Sequence, residues 1–116
     1  MIELLKKPVF LVNFLTGIIF IIAALVQIKF PPKKINSLYG YRTKNSMKSN
    51  EAWEFAQKFS AKIMLKFGIG LCFLAIILKN ISFSKTEYEV VLATFIITLV
   101  VVIMLVIVEK ELKKRF

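Results

Sequence analysis

The stretch VFLVNFLTGIIFIIAALVQI, residues 9–28, runs for twenty residues without a charge. A helix rises about 1.5 Å per residue, so a run of this length crosses a hydrocarbon core about 30 Å thick. Its reading as a membrane span decides the fold class, and the remaining runs are read against it. Val90 to Val108 is a second such run, of 19 residues. A shorter one, Phe67 to Leu78, extends back to Ile63 if Lys66 carries its ammonium to the headgroups on its flexible stem. These runs predict an all-α membrane protein, a single membrane domain over residues 1–116. Its three transmembrane helices lie near 9–28, 61–79 and 90–108, and a motif loop and helix occupy 31–60.

The first run is longer than a signal-peptide core. It ends in Gln27, Ile28, Lys29 and two prolines, with no small-residue cleavage site, so a span is expected and not a leader. The chain has no histidine and one cysteine, Cys72. That excludes a histidine base, a His-based metal site and an internal disulfide. No metal or other cofactor is expected.

The 17 basic residues are unevenly placed. With three spans, Lys6, Lys7, Lys79 and Lys85 fall on one side of the membrane. The other thirteen, from Lys29 to Lys66 and from Lys110 to Arg115, fall on the other. Short basic loops stay cytoplasmic. A multi-pass protein of the cell membrane is therefore expected, with its N-terminus outside and its first loop and C-terminus inside. The formal charge of +10 then matches a bilayer with anionic headgroups, and direct nucleic-acid binding is not needed to explain it.

Pro31 and Pro32 stop the first helix. An irregular segment follows to Lys48, with Gly40 allowing a turn between Tyr39 and Tyr41. Asn50 is the expected N-cap of a cytoplasmic or interfacial helix that leads into the second span, either continuous or bent near Ser60. Trp53, Ala56, Ser60, Ile63 and Phe67 form one stripe of it, and Glu54, Lys58, Lys62 and Lys66 another. Small and polar residues mark the packing faces of the spans. These are Asn13, Gly17, Ala24 and Gln27 on the first, Gly68, Cys72 and Ala75 on the second, and Thr94 and Thr98 on the third. At the inner ends, Lys66 is expected to meet Glu109, with Gln27 nearby.

The dense segment between the first two spans has a plain reading. Tyr39, Tyr41 and Trp53 suit an interfacial aromatic belt, and Arg42 a headgroup anchor. An anchor does not need Asn36, Ser37, Thr43, Asn45, Ser46, Ser49 and Asn50, which suggest a loop folded by side-chain-to-backbone bonds. Arg42 offers five donors in a planar fork suited to a carboxylate or phosphate. Tyr39 and Tyr41 are placed to clamp or stack on its stem, Trp53 to cover the loop, and Asn36 to hold the turn. Together these make a rigid cap on the bundle.

The run Asn36-x-x-Tyr39-Gly40-Tyr41-Arg42-Thr43, followed by Ser46-Met47 and then Trp53 with Ala56, resembles the signature of the SdpI family, small bacterial membrane proteins named for immunity to a secreted sporulation-delay toxin. The likeness covers roughly Ile28 to Leu78. It implies a non-enzymatic membrane protein that protects the cell against a membrane-active peptide toxin, with a signalling role through a cytoplasmic regulator as a second task. The alternative is a structural or lipid-interacting module, or a subunit of a larger assembly. Three thin helices also suit a homo-oligomer. An enzyme is not expected: the only carboxylates near the motif, Glu51 and Glu54, lie in a first helical turn, where the helix dipole accounts for them.

Overall fold

The computed structural model describes Glu3 and residues 6–116. Three helices, α1 (Pro8–Lys29), α2 (Asn50–Leu78) and α3 (Thr86–Arg115), account for most of it, and no strand occurs among the described residues. Each helix is long and apolar enough to cross a membrane, so the chain reads as a multi-pass membrane protein.

Helix α1 opens with Pro8 in its first turn, where the missing N–H costs nothing, and closes at Lys29 ahead of Pro31 and Pro32. Helix α2 is one unbroken helix of 29 residues. The helix expected to lead into the second span is not an additional element: of the two alternatives, continuous or bent near Ser60, the continuous one holds, and Ser60 sits inside α2 with its hydroxyl bonded at 3.4 Å to the carbonyl of Gln57. At about 44 Å, α2 exceeds the hydrocarbon thickness, and its first turns lie beside the loop, where Trp53 and Gln57 bond to Pro32 and Tyr41. The N-cap is Ser49, not Asn50, because the Ser49 hydroxyl accepts from the Ala52 N–H at 3.0 Å. Helix α3 begins with Glu87 and Glu89 and ends with Lys113, Lys114 and Arg115, matching its macrodipole at both ends.

Helices α1 and α2 pack closely where glycine permits it. A Cβ on Gly17 would lie 2.7 Å from the Gly68 carbonyl and 2.7 Å from Cys72 Sγ. The small-residue stripes read from α1 and α2 therefore face each other. The stripe on α3 does not pack. Thr94 and Thr98 are exposed, and their hydroxyls bond back to Val90 and Thr94 of their own helix. Most of α3's apolar run faces outward. Its burial is concentrated at the ends, at Glu89 and Ala93 and again at Val108 and Leu112. The latter two join Ala52 and Ala56 of α2 in a small core under the loop, flanked by Tyr41, Phe55 and Phe59.

Candidate functional site

The site is the loop between α1 and α2, folded onto the end of the bundle. It starts with Asn36. Its Oδ1 accepts from the N–H groups of Leu38 and Tyr39 at 2.9 and 2.7 Å, and its Nδ2 donates to the Lys34 carbonyl at 3.0 Å. This is an Asx turn, and it fixes the start of the motif. The Tyr39 hydroxyl donates back to the Phe30 carbonyl at 2.7 Å, tying the loop to the end of α1.

Gly40 comes next, with φ +104°. A side chain would be strained there and would have no room, since a Cβ would meet Gln57 Oε1 at 2.5 Å and Pro32 Cγ at 2.7 Å. The close approach lets Gln57 of α2 take both backbone groups of Tyr41. Its Oε1 accepts from the Tyr41 N–H at 2.7 Å and its Nε2 donates to the Tyr41 carbonyl at 2.8 Å. Gln57 is 1% exposed. Gln27 of α1 donates to the Gln57 carbonyl at 2.9 Å and to Ser60 Oγ at 3.1 Å, so α1, α2 and the loop share one buried polar joint. Trp53 is also 1% exposed, and its indole N–H donates to the Pro32 carbonyl at 2.7 Å. It closes the loop from the α2 side.

The third helix is held by one carboxylate. Glu109 accepts from the Tyr41 hydroxyl at 2.7 Å, the Thr43 hydroxyl at 2.9 Å and Asn45 Nδ2 at 2.8 Å. Three donors on one carboxylate favour its ionised form. Burial, and then the neighbouring Glu109, raise the Tyr41 phenol well above its ordinary value, so it stays a donor. Ser46 is fully buried and completes the turn, accepting from the Thr43 N–H at 2.8 Å. Below this cap lies a cavity of about 330 Å³, walled by Phe20, Met64, Met104 and Val108 and roofed by Gln27 and Tyr41.

A family model described as the SdpI/YfhL protein family matches residues 33–109, from the start of the loop to the carboxylate that holds it. The chain belongs to the SdpI/YfhL family. It is 34% identical over 97 residues to "Uncharacterized protein YfhL" of Bacillus subtilis (strain 168), covering 84% of this chain and 82% of that protein. No solved structure matches.

Within this SdpI/YfhL signature, the structure gathers Asn36, Tyr39, Gly40, Tyr41, Thr43 and Trp53 into one bonded unit. Arg42 is the exception. It is exposed and makes no side-chain hydrogen bond or ion pair among the described residues. Neither phenol hydroxyl bonds to Arg42, since both are engaged elsewhere, at Phe30 and Glu109. The expected Lys66–Glu109 contact is also absent. Glu109 turns toward the loop, where three donors satisfy it. Lys66 is exposed and borders a separate recess with Phe67, Leu71 and Val100. Gln27 does sit at the loop end of the bundle, but its partners are Gln57 and Ser60. Asn13 is a bundle residue, fully buried, and donates to the Val9 carbonyl of its own helix at 2.8 Å. Ser46 makes the side-chain-to-backbone bonds expected of it; Gln57 is a site residue that sequence reasoning did not single out, and Asn45 bonds Glu109 of α3 and not the loop backbone. The legible signal for Gln57 is its position one residue after Ala56 and four after Trp53, on the face that the tryptophan marks as buried.

Proposed function

We propose that this protein protects its cell against a membrane-active peptide toxin without catalysing a reaction, with the motif loop as its recognition surface and a signalling role through a cytoplasmic regulator as a second task. The observation that supports this reading is the contrast within the motif. Its other polar side chains are spent on holding the loop, while the Arg42 guanidinium stands on that rigid base with its donors turned outward. A planar fork of five donors on a fixed mount suits a carboxylate or phosphate on a partner. The non-enzymatic reading is supported by chemistry: the one well-placed carboxylate, Glu109, is fully occupied by structural donors.

The test is survival of toxin-challenged cells that make the wild-type protein, Arg42→Lys, or none. Protection by the wild type that Arg42→Lys loses at equal protein level is the expected result. Equal protection by the lysine variant would reduce Arg42 to a headgroup anchor, and no protection by the wild type would end the immunity reading. The same reading puts the loop in the cytoplasm, as the distribution of basic residues favours. On a Cys72→Ala background, an impermeant thiol reagent on intact cells should label Ser84→Cys and spare Leu38→Cys, a position 90% exposed on the loop.

A further inference from the structure

A groove runs along the junction of α1 and α2, outside the cap, with Gln27 standing between its lower part and the cavity beneath the cap. Its upper part, about 420 Å³, lies between Pro31 and Lys33 on one side and Glu54 and Lys58 on the other. Its lower part, about 240 Å³, lies between Gln27, Ile28 and Lys62. Pro31 and Lys58 line both parts, so the two adjoin. Gln27 and Ile28 close the apolar run of α1, which places the lower part at the hydrocarbon edge and the upper part at headgroup depth.

We infer that this groove is a seat for one anionic phospholipid, its phosphate held by Lys58, Lys62 and Lys33 and an acyl chain lying against Ile28. Three observations carry the inference. The first is charge: three lysines face one carboxylate, Glu54. That carboxylate is 3.6 Å from Lys58 in a pair whose side chains are 66% and 73% exposed, so little is lost when a phosphate takes its place. Lys33 and Lys62 have no ion-pair partner among the described residues. The second is shape. The lysines come from two segments, Lys33 from the loop after α1 and Lys58 and Lys62 from the face of α2, with Lys58 lining both parts of the recess, Lys33 the upper and Lys62 the lower. The third is polarity: Lys33 and Glu54 line the upper part alone, while Ile28 enters the lining in the lower part beside the stems of Lys58 and Lys62, so an acyl chain meets apolar surface on the hydrocarbon side. A zwitterionic headgroup would bring its ammonium toward the same three lysines, and a soluble anion would leave the lower groove unfilled.

The full-length protein, purified in detergent, is mixed with equal phosphatidylglycerol and phosphatidylcholine, and retained lipid is counted by native mass spectrometry. Phosphatidylglycerol should be retained over phosphatidylcholine by about tenfold. The pair Lys58→Gln with Lys62→Gln should lower its retention by about tenfold, while Lys113→Gln with Lys114→Gln, an equal charge loss at the end of α3, should change it by less than about twofold. Circular dichroism in the same micelles checks that each variant is folded. Ile28→Trp, which fills the lower groove and keeps every lysine, should also lower retention. Equal retention of the two lipids, equal losses from both lysine pairs, or full displacement by inorganic phosphate would each overturn the inference. Toxin survival plays no part in any arm, so the outcome is independent of the protective reading.

Discussion

At the loop end of the bundle, three side chains of residues 41–45 meet one carboxylate of α3, and a glutamine of α2 grips the backbone of Tyr41 on both sides. At the opposite end, the side-chain bonds joining separate elements among the described residues are Lys7 Nζ to the Ile81 carbonyl and the Val9 N–H to Glu89. The difference follows from the solvent. Within lipid, apolar side chains gain little by leaving hydrocarbon for protein, so helices are held by close packing and polar contacts. Helices α1 and α2 meet through Gly17 and Gly68. Helix α3 has no comparable stripe, and its position depends on its ends, above all on Glu109.

Substitutions at the two ends should therefore differ in cost, measured as unfolding of the purified protein in detergent. The largest loss is expected for Gln57→Leu. It leaves the Tyr41 N–H without a partner, at about 1–3 kcal/mol, and takes one of two donors from the Tyr41 carbonyl, which keeps the Ser46 hydroxyl, at about 0.5–1.5 kcal/mol more, so a loss of about 2–4 kcal/mol is expected. Gly40→Ala should follow at about 1–3 kcal/mol, from the positive φ and the collision with Gln57 and Pro32. Lys7→Met at the opposite end removes one exposed bond and should cost less than about 0.5 kcal/mol. A Lys7→Met loss as large as that of Gln57→Leu would erase the distinction between the ends.

The helices were legible in the sequence because a charge-free run of twenty residues has few other readings. The α1 and α2 packing faces were legible too, since Gly17 and Gly68 fall on stripes at helical spacing. Asn36, Tyr39, Gly40 and Trp53 could be assigned to a folded loop from residue chemistry alone. The partners could not. Glu109 lies 66 residues beyond Thr43, and a charge at the end of a span looks equally ready for a lysine at the same depth. Lys66 offered one cation, whereas the loop offered three donors already held in place by Asn36, Gln57 and Ser46. Preorganisation decided the contest, and it depends on a fold that no short window of sequence displays. Whether the helix leading into the second span bends near Ser60 was also beyond the sequence: the Ser60 hydroxyl bonds within α2 and to Gln27, and the helix runs on without a break.

The most direct test of the loop as a latch on α3 is a double-mutant cycle on detergent stability, with Tyr41→Phe and Glu109→Ala as the single changes. A charge-assisted bond at 2.7 Å should give a coupling of about 1 kcal/mol or more, while the parallel cycle of Lys66→Met with Glu109→Ala should be additive within about 0.3–0.5 kcal/mol. Additivity between Tyr41 and Glu109, or coupling between Lys66 and Glu109 in its place, would contradict the latch and return α3 to a lysine anchor.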